Sequence, residues 1–148
     1  MILGLDISTK CTGWCLMGDE GDIVSCGAIS FTAKETFQEK TRIFYNAISS
    51  LFEENDINIV GIEDQFFNRN ANTLKILARF SGVACLITDL NNARFVFKTP
   101  KNVKKVFADN GSASKKDIID TVKNKYGLEI ENDNISDAIA VAYTIFLS

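Results

Sequence analysis

A chain of 148 residues, 46% hydrophobic and 24% charged with a net charge of −3, has the length and balance of one globular domain with a sizeable core. Four cysteines (Cys11, Cys15, Cys26, Cys85) without CxxC spacing, and no histidine, exclude a conventional structural zinc site and histidine-based acid–base or triad chemistry. No apolar run nears the roughly 18 residues of a membrane span and no secretory leader is read, so a cytoplasmic protein with reduced thiols is expected.

The chain opens on three strand patterns, Ile2–Ile7, 13–17 and 23–31, the last two separated by the turn sequence GDEGD at 18–22. Apolar residues at helical spacing (Phe37, Ile43, Phe44, Ala47, Ile48, Leu51, Phe52) predict a helix over 34–55. A short buried strand follows at 58–63 (NIVGIE), then a long helix at 71–90 and a fifth strand at 94–97. The chain's one proline, Pro100, stands at the first position of a further helix. Helices at 114–126 and 135–147 complete the chain. A strand meander followed by alternating helix and strand predicts a single α/β domain over 1–148, a mixed sheet with helices on its faces.

Two acids stand out. GLD at 4–6 and GIE at 61–63 both end an apolar strand, with glycine two residues before the acid. Side chains alternate along a strand, so each carboxylate shares a face with its glycine. If the strands are neighbours, at about 4.8 Å, Asp6 and Glu63 face each other, which is unfavourable unless a proton or a cation intervenes. A third acid, Asp137, lies in the otherwise apolar NISDAIAVAY, placed by the predicted helix start in its first turn. Three converging carboxylates without histidine suit Mg²⁺ or Mn²⁺, and two such ions about 3.5–4 Å apart serve phosphoryl chemistry.

Four stretches in order, GLDISTKCTGW, IEDQFFNRNANTLKILARFSGVA, NVKKVFADNGSASKKDI and NISDAIAVAY, resemble RuvC-type Holliday junction resolvases. The resemblance implies a ribonuclease-H-like fold, with a mixed five-stranded sheet, three antiparallel strands then two parallel, flanked by helices. It also implies a homodimeric, two-Mg²⁺ endodeoxyribonuclease (Mn²⁺ substituting) that nicks branched DNA such as four-way junctions in pairs. A phage-encoded member would act in a bacterial host's cytosol or nucleoid. The family's metal ligands map onto Asp6, Glu63, Asp137 and the position of Asn134. There the family usually has an acid or histidine, and this chain has a neutral amide. Asp133 is the alternative fourth ligand, although its position predicts an N-cap turned back to the amides of Ile135 or Ser136.

Between 98 and 116 stand six lysines against one acid, Asp109, a concentration of positive charge suited to phosphates. In the resembled family, lysines matching Lys104 and Lys115 lie beside the reacting atoms. Lys101, Lys105, Lys116, Ser112 of GSAS and Arg69 extend the expected DNA-binding set. Phe66 matches the family's base-stacking aromatic, and Phe67 beside it stacks on DNA or staples the next helix. On the 71–90 helix one stripe (Leu74, Leu77, Cys85, Thr88) lies near the small residues Ala78, Ser81 and Gly82, and a second holds Ile76, Phe80, Val83 and Ile87. One face covers the sheet and the other calls for a partner. Two other enzyme classes fit parts of the pattern. A sugar-kinase or actin-like ATPase shares the first loop but needs a second loop and a longer chain. A nuclease of RNA–DNA hybrids shares the acids.

Overall fold

The computed structural model describes residues 1–64 and 70–148. Among the described residues, five strands and five helices follow one another much as the sequence predicts: β1 (Ile2–Ile7), β2 (Cys11–Met17), β3 (Ile23–Ser30), α1 (Phe37–Glu54), β4 (Ile59–Glu63), α2 (Ala71–Leu90), β5 (Arg94–Lys98), α3 (Pro100–Ala108), α4 (Lys115–Tyr126) and α5 (Asp133–Phe146). They form one mixed sheet in the order β3-β2-β1-β4-β5. β1 to β3 run antiparallel, and β4 and β5 join β1 in parallel.

Each face of the sheet carries its own core. On one side α1 and α2 bury Phe44, Ile48, Leu77 and Phe80 against Leu3, Leu5 and Val60. Phe80 anchors this side, its ring stacked 5.3 Å from that of Phe31 and tilted against that of Phe44 at 5.2 Å. On the other side α5 lies across the sheet and is itself covered by α3 and α4 through Val103, Phe107, Ile118 and Val122. A helix so enclosed must be apolar nearly all round, and Ala138 to Ala142 are all fully buried.

Glycine sets how closely α5 approaches. Gly4 and Gly61 are register partners on adjacent parallel strands. A Cβ on Gly4 would fall 2.7 Å from the Ala142 nitrogen, and one on Gly61 would collide with the Ile145 side chain. At Gly13, beside Asp6 on β2, a Cβ would run into the backbone of Asn134. The space that Gly4 and Gly13 leave is filled by the α5 backbone, and that left by Gly61 is filled by the Ile145 side chain.

Two expectations are corrected. α5 begins at Asp133, two residues earlier than predicted, because Asn132 rather than Asp133 is the N-cap; its side chain accepts a 2.9 Å hydrogen bond from the Asn134 amide. Asn and Asp cap about equally well, so the local sequence does not choose between them. Asp137 therefore lies in the second turn, not the first. On α2 the first predicted stripe is divided: Leu77, Ser81 and Thr88 face the core, which leaves Ala78, Gly82 and Cys85 exposed, joined by Leu86 beside them.

Candidate active site

The register β1 to β4 runs Leu5 opposite Ile62, and one residue further brings Asp6 level with Glu63. Both acids share the face of Gly4 and Gly61, the face that α5 crosses. Asp6 is only 3% exposed. The start of α5 brings Asp133, Asn134 and Asp137 over the same strand ends, and α3 and α4 add Lys104 and Lys115. These residues line one open cleft of about 480 Å³, together with Ser8, Thr9 and Lys10 of the β1–β2 turn. Val103, Ile118 and Ala140 form its apolar floor.

Electrostatics follow from position. Burial raises the Asp137 carboxyl to about 6, against the pull of Lys115 and Lys104 and with the push of Asp133. Asp133 is held below the usual carboxylate range by its hydrogen bond from Lys115 Nζ. Lys115 is raised by the same bond, and Asp137 and Asp6 act on its ammonium in the same sense. A lysine thus stands among three carboxylates at the mouth of the cleft.

Among the described residues no cluster of three or more acidic, cysteine or histidine side chains that could hold a metal ion is formed. The donors that line the cleft nevertheless suit a hard dication in kind. Four carboxyl groups and the Asn134 amide offer oxygen, and no imidazole or thiol stands among the described lining side chains. A cation beside Asp137 would also favour its ionised form, which burial disfavours.

Of the sequence-predicted residues, Asp6, Glu63, Asn134, Asp137, Asp133, Lys104 and Lys115 meet in this cleft, while Lys101, Lys105, Lys116 and Ser112 do not line it. Lys105 Nζ donates to the Asp109 carbonyl at 3.2 Å, and Lys116 pairs with Asp120 at 3.4 Å, both at exposed positions. At GSAS the Ser112 amide donates to Asn110 Oδ1, and Ser114 forms a capping box with Asp117. Phe66, Phe67 and Arg69 lie outside the described residues. Ser8, Thr9 and Lys10 are functional candidates that the sequence reading does not single out, although a hydroxyl pair and a lysine just past the end of β1 are visible in GLDISTK.

A mixed sheet of this order, with acids at the ends of its two central strands and on the helix laid across them, defines a nuclease-type ribonuclease-H-like domain. The family model described as crossover junction endodeoxyribonuclease RuvC matches residues 2–145, and the chain belongs to that family. Among curated relatives, the RuvC proteins of Sulfurovum sp. and of Helicobacter pylori are each 32% identical over 148 residues. These alignments cover 97% of this chain and 92% and 94% of the relatives. The solved structure of Thermus thermophilus RuvC superposes with a TM-score of 0.86 at 19% identity, covering 98% of this chain and 93% of that one. The same protein in complex with a Holliday junction substrate also gives 0.86, over 97% of this chain and 90% of that one.

Proposed function

We propose that this protein resolves Holliday junctions or related branched DNA by metal-dependent hydrolysis of paired phosphodiester bonds, acting as a homodimer in the cytoplasm. The observation that carries this reading is the meeting of Asp6, Glu63 and Asp137 with Lys104 and Lys115 in one cleft of a RuvC-family chain. Asp6, Glu63 and Asp137 would hold Mg²⁺, with position 134 or 133 completing the set. Bound dications stabilise the attacking and leaving oxygens of an in-line displacement. The half-buried Lys104 and the exposed Lys115 hold the scissile phosphate against the acids, which would otherwise repel it. The remaining lysines of 98–116 add attraction that does not depend on sequence and weakens with salt. From the sequence alone, Phe66 is assigned to stacking at the branch point, Phe67 to DNA or to stapling the next helix, and Arg69 to DNA binding.

The test is cleavage of labelled four-way junctions, flaps, linear duplexes and RNA–DNA hybrids in Mg²⁺, Mn²⁺ or chelator. Junctions should be cut symmetrically and only with metal. Preferential cutting of the hybrid would transfer the protein to the rival nuclease class.

The exposed Ala78, Gly82, Cys85 and Leu86 of α2 are the surface proposed for the second protomer, since small residues allow close helix approach. A Cβ at Gly82 meets nothing within 4 Å, so Gly82→Arg should fold normally. The variant should sediment as a monomer at micromolar concentration, with coordinated paired nicks reduced to single ones. A dimer as stable as wild type would place the interface elsewhere.

A further inference from the structure

The first turn of α5 carries an acid whose expected capping duty is taken by Asn132. We infer that Asp133, held in reserve by Lys115, is the fourth carboxylate of the metal site in place of the acid that position 134 lacks, and that an incoming dication competes with Lys115 for it. This rests on the metal-dependent reading above and makes it specific to this chain.

The helix geometry favours the assignment. At about 100° per residue, Asp133 stands about 40° from Asp137 around the helix and Asn134 about 60° away on the other side. Both line the cleft, so either can reach an ion held by Asp137. They differ in charge. A carboxylate adds to the attraction for a dication where an amide oxygen adds only a dipole, and ligand charge is a main determinant of affinity at oxygen sites.

Lys115 gives the second part. Its ammonium donates to Asp133 Oδ2, and it also stands within the electrostatic reach of Asp137 and Asp6. A fixed positive charge among these acids offsets their mutual repulsion, as a bound ion would. The pair is loosely enclosed: the Lys115 side chain is 74% exposed and that of Asp133 35%. Exchanging the lysine for a metal ion therefore leaves no charge stranded in the core. The displaced ammonium remains at the cleft mouth, able to meet a phosphate. Metal and DNA should then each raise the affinity for the other, through a lysine that only one set of acids or the phosphate can hold at a time.

The test uses full-length protein without DNA, titrated with Mn²⁺ while the free aquo ion is followed by electron paramagnetic resonance. Circular dichroism confirms folding of each variant. Asp133→Asn should weaken Mn²⁺ binding about tenfold or more, in the range found for groups that shape metal sites. Asn134→Ala should change it little. Lys115→Met should bind Mn²⁺ several-fold more tightly, because the competing cation is gone. In Asp133→Asn/Asn134→Asp binding should recover. Wild-type affinity in Asp133→Asn, or an equal loss in Asn134→Ala, overturns the ligand assignment while junction cutting by wild type stays intact. Unchanged or weaker binding in Lys115→Met overturns the competition. A wild-type protein that binds no Mn²⁺ at millimolar concentration sinks this inference together with the metal-dependent reading.

Discussion

Asp137→Asn should abolish DNA cleavage, by about a thousandfold or more, and at the same time raise the melting temperature of the metal-free protein at pH 8. The loss follows from the proposed role of Asp137 as a charged metal ligand, where several kcal/mol of transition-state stabilisation are at stake. The gain follows from burial. Folding raises the Asp137 carboxyl from 3.8 to about 6, so the folded state favours its neutral form. The stability associated with that proton is complete below pH 4, declines as pH rises through the interval from 4 to 6, and is gone above about pH 7. The full difference is at most about 3 kcal/mol. At about 2–4 °C per kcal/mol for a domain of this size, the variant should melt several degrees higher at pH 8 and no higher at pH 4. Differential scanning calorimetry at the two pH values, with chelator present, reads this directly. A variant that melts below wild type at pH 8 would mean that Asp137 is held by a favourable partner rather than a desolvating one.

Gly13→Ala should be the most damaging single methyl group near the site. Its Cβ would collide with the carbonyl of Asn134 and lie 2.7 Å from the Ile135 nitrogen, so the obstacle is backbone. The first turn of α5 must lift off β2, and Asp133, Asn134 and Asp137 move with it, away from Asp6. Overpacking of this kind costs about 1–3 kcal/mol. Gly4→Ala provides the control, because its Cβ meets the same helix further along, 2.9 Å from the Ala142 Cβ. Both variants should lose stability in urea titration, but Gly13→Ala should lose Mn²⁺ binding in greater proportion. Equal loss of binding in the two would mean that α5 moves as one rigid body.

Much of this was legible in the sequence because the relevant signals are local. That Asp6 and Glu63 end neighbouring strands on one face could be read from the matched glycines, and the partnership of Gly4 with Gly61 shows why: both sit under one helix. The bounds of α2 were legible to the residue from its long apolar pattern, and the structure adds Asn70 as its N-cap. The start of α5 was misread for a non-local reason. In NDN at 132–134 both of the first two residues are good caps, and Lys115, far back in the chain, engages the carboxylate of Asp133. The two apolar stripes of α2 looked alike, but Leu77 and Thr88 turn into the core that α1 and the sheet build around Phe80. Periodicity reports that a face is apolar. It does not report how wide the neighbouring layer will be.

The site also has an order of assembly. Its first acid comes from β1 and its last from α5, with almost the whole described chain between them. Synthesis proceeds from the N-terminus, and contacts between such distant segments form late. A ribosome-bound fragment lacking α5 carries the Asp6 and Glu63 strands and all of the basic segment at 98–116, yet has no complete cleft. Until α5 is laid over the sheet, the acids and lysines that line the cleft are not brought together, so the proposed chemistry waits on one long-range docking event.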